Sequence, residues 1–148
     1  MFEDFVKIAE AINRARRPMI YAGGGVVLSG ACEGLKRFAE KSSIPVAVSL
    51  QGLTTFSHDH PLYMGLIGMH GNVSTNMVMD EVDLLICIGA RFNDRTTGNT
   101  GGFCPNARVI HADIDASEIG KIRRSDLSVT SDAAVFLEML IALVDETE

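Results

Sequence analysis

Residues 18–25 read Pro18-Met19-Ile20-Tyr21-Ala22-Gly23-Gly24-Gly25, a short apolar run that ends on three glycines. The run reads as a buried strand, and the glycines as a turn whose backbone another molecule can approach closely. Upstream, Phe5, Ile8, Ala9 and Ile12 recur at helical spacing, so residues 3–15 are expected to form an amphipathic helix that stops before Arg17-Pro18. Downstream, a helix is expected from about Ala31 to Ser42. Helix, strand, glycine turn and helix open an α/β domain.

The alternation continues outward. Pro45-Val46-Ala47-Val48 reads as a strand, Val73 to Glu81 as a helix, Asp83 to Ile88 as a strongly apolar strand and Arg108 to Ile114 as another. Leu127-Ser128-Val129-Thr130 alternates apolar with polar residues, the mark of a last strand near a sheet edge, and Ala133 to Val144 reads as a closing helix. Continuous apolar strands between helices imply a parallel sheet covered on both faces. Gln51 to Asn72, which holds His58, His60 and His70, is irregular and reads as long connecting loops. Loops at the carboxyl ends of strands bind ligands in such sheets, above all beside the switch in strand order.

The bulk properties narrow the function classes. A chain of 148 residues is expected to form one domain with a sizeable core. No apolar stretch approaches the roughly 20 residues that cross a bilayer, and the mixed-charge start MFEDFVKIAEAINRARRP has neither a signal nor a transit character. Soluble, cytoplasmic residence without membrane association is the expectation. A net charge of −6 argues against nucleic-acid binding, and the short clusters Arg14, Arg16, Arg17 and Lys121, Arg123, Arg124 read as solvated surface. Cys32, Cys87 and Cys104 lack disulfide or zinc spacing, and Cys87, inside Leu84-Leu85-Ile86-Cys87-Ile88, reads as a buried hydrophobe.

Four motifs carry candidate chemistry. Gly23-Gly24-Gly25 lacks both the GxGxxG spacing and a Walker lysine, which leaves diphosphate contact and a plain tight turn both open. In Gly65-Leu66-Ile67-Gly68-Met69-His70-Gly71, His70 either bonds a ligand or caps the helix after it. Gly89-Ala90-Arg91-Phe92-Asn93-Asp94-Arg95 stands after the most hydrophobic strand, where its arginines either hold phosphate oxygens by forked bonds or pair with an aspartate, and Arg91 is equally able to stack on a flat ring. In His111-Ala112-Asp113-Ile114-Asp115 the acids are placed to accept bonds from ribose hydroxyls, whereas Asp115, like Asp132 further on, is equally placed to cap a helix. No catalytic constellation and no metal-ligand cluster can be assembled from the sequence, so no catalytic or metal residue is assigned.

Taken together, GGGVV, MGLIGMHG, DLLICIGARFNDRTTG, FCPNARVIHADIDASEIGK and the Ser131-Asp132 turn resemble the central domain of acetolactate synthase (acetohydroxyacid synthase) large subunits. The likeness covers nearly the whole chain, and its five ordered blocks are more specific than any one glycine motif. It implies a doubly wound, Rossmann-like parallel sheet, six-stranded where the residues alone give five strands, with FAD lying extended across the strand ends in a mainly structural role. By resemblance Gly23, Gly24, Gly25, Ser49, Leu50, Gln51, Gly68, Met69 and His70 meet the cofactor. Gly89, Ala90, Arg91, Asn93 and Arg95 continue the cradle, and Asp113, Ile114, Asp132 and Ala133 meet the adenosine end.

In that family the whole enzyme condenses two pyruvates, or pyruvate with 2-oxobutyrate, in branched-chain amino-acid synthesis. Thiamine diphosphate and Mg2+ do the chemistry there, held by N- and C-terminal domains. Residues 1–148 match only the central domain, so the expectation is a fragment without catalytic activity of its own. Its expected partners are the remaining domains of the parent chain, a homodimer or tetramer, and a regulatory small subunit. Asn93 departs from the aspartate usual in GARFDD; asparagine keeps an acceptor and adds donors, which implies retuning rather than loss.

Three rival readings stand beside this one. A self-contained NAD-dependent enzyme of the sirtuin type would need a zinc cysteine set that is absent. A central domain of pyruvate oxidase, glyoxylate carboligase or a decarboxylase shares the fold. A domain without ligand would expose former interdomain surfaces, with Met64, Met69, Met77 and Met79 either lining one or filling core.

Overall fold

The computed structural model of the chain describes residues 2–66, 81–89, 107–114 and 127–145. Helix α1 (Phe2–Arg14) precedes β1 (Pro18–Ala22), a short α2 (Gly24–Leu28) and α3 (Cys32–Ser42). Then come β2 (Val46–Val48), a 3-10 turn (Leu50–Gly52), β3 (Tyr63–Leu66), β4 (Leu84–Ile88), β5 (Arg108–Asp113), β6 (Leu127–Thr130) and α4 (Ala133–Leu143). The expected helix over Val73 to Glu81 and the turn after Asp115 lie outside the described residues.

The strands form one six-stranded sheet in the order β3-β2-β1-β4-β5-β6, and every pair is parallel. The chain therefore works outward from β1 to β3 on one side, crosses back over, and works outward again from β4 to β6. The switch in direction falls between β1 and β4.

The pairing explains why β1, β2 and β4 are apolar along their length and β5 largely so. Ile20, Ala22, Val46, Val48, Ile86, Ile88, Ile110 and Ala112 join one buried layer with Phe5, Ile8 and Ile12 of α1, Leu35 and Phe38 of α3, and Phe136, Leu137 and Leu140 of α4. Their alternate neighbours Met19, Tyr21, Ala47, Leu85, Cys87 and Val109 are just as fully buried on the opposite face. A strand enclosed on both sides favours apolar residues at nearly every position, and the buried His111 and Asp113 at the end of β5 are the exceptions. At about 1.5–3 kcal/mol for each large apolar side chain taken out of water, these two layers are the main source of cohesion.

Two elements differ from expectation. The stretch Gln51 to Asn72 is not all loop, because Tyr63–Leu66 pairs with β2 as the edge strand β3. Its signal is weak because it is only four residues long, contains Gly65 at φ 107° and shifts register against Val46/Ala47. The glycine turn is also shorter than expected: α2 starts at Gly24, inside the triplet, and Gly30 at φ 67° separates it from α3. A five-residue helix is too short to show helical periodicity.

The amino edge of the sheet is closed by Asp83, whose two carboxylate oxygens accept the backbone N–H groups of Arg16 (2.8 Å) and Arg17 (2.9 Å). The Arg17 side chain pairs with Glu81 at 2.8 Å, mostly in solvent. Among the described residues no helix is long and apolar enough to cross a membrane.

Candidate functional site

The strand register lines up one row of residues along the carboxyl edge. Ala22 is level with Val48 on one side and Ile88 on the other, and Ile88 is level with Ala112. The next residue along each strand is therefore Ser49, Gly23, Gly89 and Asp113. Hydrogen bonds extend the sheet ladder into this row: Ser49 N–H donates to Ala22, Gly23 N–H to Ile88 and Gly89 N–H to Ala112, each at 3.0 Å. Ser131 N–H likewise donates to the Asp113 carbonyl at 3.0 Å.

At the switch point the row is built from glycine because backbones touch there. Gly25 N–H donates to the Gly89 carbonyl at 2.9 Å, and a Cβ on Gly25 would fall 2.7 Å from the Gly89 Cα. Gly89 has φ 60°, in the left-handed region that favours glycine. On the other flank a Cβ on Gly52 would collide with the Ala22 carbonyl oxygen, so the turn after β2 closes onto β1. Thr55 supports that turn, its buried hydroxyl donating to the Gly52 carbonyl at 2.6 Å. The floor of the crevice between β1 and β4 is thus bare backbone.

The triplet's amides are only partly available to a ligand. Gly23 and Gly25 donate to the end of β4, which leaves Gly24 as the glycine whose N–H has no protein acceptor among the described residues. Gly24 faces Gln51, whose Cβ and Oε1 would stand 3.2 and 3.3 Å from a Cβ on Gly24. Gln51 is exposed, and Ser49 is buried.

The far end of the row is acidic. Asp113 is buried at the end of β5, and its carboxylate stands 4.0 Å from the imidazole of the fully buried His111. Ile114 beside it is 74% exposed. Asp132 caps α4, its Oδ1 accepting the Ala134 N–H at 2.6 Å, and Ala133 turns into the core. The capping role left open for Asp132 is thus occupied, and any ligand contact at Ala133 falls to its backbone.

The structure brings Gly23, Gly24, Gly25, Ser49, Gln51, Gly89 and Asp113 to one edge, with Leu50 in the 3-10 turn beside them. Gly68, Met69, His70, Ala90, Arg91, Asn93 and Arg95 lie outside the described residues. Two residues of the site were not singled out from the sequence. Gly52 announces itself only as a glycine four residues beyond the last residue of β2, and His111 only as a histidine two residues before the acid of HADID.

A family model described as the thiamine pyrophosphate enzyme central domain matches residues 5–140. The chain belongs to this family. Relatives within it include a probable acetolactate synthase large subunit from Methanocaldococcus jannaschii, 48% identical over 93% of this chain and 24% of that protein. The acetolactate synthase isozyme 1 large subunit of Escherichia coli is 44% identical over 97% of this chain and 25% of its own length. This central domain thus spans about a quarter of the curated relatives it matches. A solved structure described as a putative thiamin diphosphate-dependent enzyme from Mycobacterium smegmatis superposes with a TM-score of 0.81 and 26% identity. It covers 99% of this chain and 28% of that one. Benzoylformate decarboxylase from Polynucleobacter necessarius, at TM-score 0.80 and 21% identity, shares the fold.

Proposed function

We propose that the chain is the FAD-binding central domain of an acetolactate synthase large subunit. In this reading the parent enzyme joins two pyruvates, or pyruvate with 2-oxobutyrate, into acetohydroxy acids. The 40–48% identity to acetolactate synthase large subunits over most of the chain supports the parent. The observation that carries the cofactor is the glycine contact at the switch point, where Gly25 and Gly89 leave no room for a side chain between β1 and β4. Extended dinucleotides bind across such a crevice because their diphosphate needs close backbone approach.

The residues present fit FAD. Gly24 offers an N–H toward the diphosphate, and Gln51 a carboxamide beside it. Asp113 offers a carboxylate for ribose hydroxyls at the other end of the row. In this reading the flavin would serve the domain in a mainly structural role. Arg91 and Arg95, by their place after β4, add charge for phosphate oxygens.

Thiamine diphosphate and Mg2+ belong, in this reading, to other domains of the longer protein, and so do the carbon–carbon bond formation and the choice of 2-oxo acid. The remaining domains, a second copy and a regulatory subunit are the proposed partners.

Titration of the chain with FAD, followed by flavin fluorescence with NAD and thiamine diphosphate in parallel, tests the assignment. Saturable FAD binding, weakened by Arg91→Ala and without response to the other two, is expected. Saturable NAD binding in place of FAD would overturn the cofactor while leaving the dinucleotide crevice.

A further inference from the structure

Three helices lie side by side over the layer that holds Phe5, Phe38 and Phe136, with α4 between α1 and α3. They run in the same direction. Phe5 meets Phe136 near the start of α1 and α4, and Asn13 accepts the Asp145 N–H near their ends. Arg37 and then Lys41 of α3 reach Glu138 and then the Ile141 carbonyl of α4. The outer helices are amphipathic, with Glu3, Lys7, Glu10 and Arg14 exposed on α1 and Glu33, Lys36, Arg37 and Glu40 exposed on α3. Helix α4 differs, since every residue of Ala133–Leu143 except Glu138 is apolar. Its Phe136, Leu137 and Leu140 fill the core, but Val135 is 54% exposed, Ala142 is exposed, and Met139, Ile141 and Leu143 are only half-buried. A helix that is apolar all round is normally enclosed all round. Glu138 does not make the outward face hydrophilic, because Arg37 neutralises it at 3.2 Å.

We propose that the outward side of α4, with α1 beside it, is an interface for a second copy of this chain, docked about a two-fold axis that runs across the helices. Helices α4 and α1 then each pack antiparallel on their own counterpart. The charges of α1 select this occupant and this orientation. Glu3, Lys7, Glu10 and Arg14 follow one another at spacings of four, three and four residues, which puts them on one face of the helix. Laid antiparallel on its counterpart, that stripe sets Glu3 against Arg14 and Lys7 against Glu10, and the symmetry forms each pair twice. An axis along the helices would instead lay α1 on α3, whose Glu33, Lys36 and Glu40 repeat the acid, base, acid order of Glu3, Lys7 and Glu10, so like charges would oppose one another. The antiparallel arrangement also brings Val135 of one copy towards the Ala142 end of α4 in the other, and takes exposed apolar surface out of water on both. A two-fold interface has to be its own complement, and an apolar stripe beside a charge sequence that inverts on reversal meets that condition. The inference goes beyond the functional reading, in which a second copy has no assigned surface, and it holds with or without FAD.

The test is sedimentation equilibrium of the 148-residue chain, without FAD, over a range of concentrations. A reversible monomer–dimer equilibrium is expected. Val135→Glu places a carboxylate in the first turn of α4, where the helix dipole favours it, and is expected to give monomer at an unchanged melting temperature. Lys7→Glu and Glu10→Lys each turn two attractive pairs into repulsive ones and are expected to raise the dissociation constant about tenfold. The double variant Lys7→Glu/Glu10→Lys exchanges the charges and is expected to bring the constant back to the native value. Native chain that is monomeric at every concentration overturns the proposal, and leaves the face to another part of the longer protein. A dimer that survives Val135→Glu, or single charge variants that the double variant does not rescue, also overturns it, because association then uses another surface or another orientation. None of these outcomes bears on FAD binding, which the fluorescence titration reads separately.

Discussion

Gly25 and Gly89 lie back to back across the switch point, each so placed that a Cβ on it would stand 2.7 Å from the other's Cα. The Gly25 N–H closes the contact on the Gly89 carbonyl at 2.9 Å. Two adjacent strands with opposite onward connections can leave the sheet side by side here only if neither carries a side chain.

The contact predicts an asymmetric pair of substitutions. Gly25→Ala is expected to cost about 1–3 kcal/mol by overpacking against backbone, which cannot move aside as a side chain can. Gly89→Ala meets the same collision and adds the left-handed penalty of about 1–2 kcal/mol, so it is the more damaging. The double variant should lose less than the sum, because the separation of the two backbones that one methyl forces also relieves part of the second collision. Urea unfolding of the three variants measures this, and full additivity would contradict the shared contact.

Gly34, inside α3, supplies the opposite case. A Cβ there would meet Leu137 Cβ at 3.6 Å, an ordinary contact, and nothing closer. Gly34→Ala is therefore expected to stabilise the chain by about 0.5–1 kcal/mol through helix propensity, seen as a raised urea midpoint at unchanged slope.

Asp132 separates capping from binding. Asp132→Ala removes the acceptor of the Ala134 N–H and is expected to cost about 0.5–2 kcal/mol, while Asp132→Ser keeps a cap and most of that stability. FAD affinity that falls in Asp132→Ser at unchanged stability would show a ligand contact separate from the cap. Affinity unchanged in the serine variant would confine Asp132 to capping.

At the amino edge, Asp83→Ala leaves the Arg16 and Arg17 N–H groups without their side-chain acceptor. Both bonds are solvent-exposed, so a loss of about 1–2 kcal/mol is expected in chemical unfolding, with no change in ligand binding at the opposite edge.

The central strands were legible because enclosure on both faces makes them uniformly apolar, as in Leu84-Leu85-Ile86-Cys87-Ile88. The edge strand Leu127-Ser128-Val129-Thr130 was legible for the reverse reason, its exposed serine and threonine alternating with Val129. Tyr63–Leu66 escaped because a glycine and a register shift interrupt it. The site was legible as far as single residues announce themselves, through Gly23-Gly24-Gly25, Gly89 and Asp113. What the sequence does not display is which backbones touch: Gly52 matters because of Ala22, 30 positions earlier.

The most direct measurement is an amide nitrogen–proton correlation spectrum of the isotopically labelled chain during titration with FAD. Shifts concentrated at Gly23, Gly24, Ser49, Gln51, Gly89 and Asp113 are the predicted result, because these residues line the carboxyl edge. Shifts confined to Arg16, Arg17, Ser43 and Glu81 at the amino edge, or none at saturating FAD, would contradict the assignment of the switch-point crevice as the cofactor site.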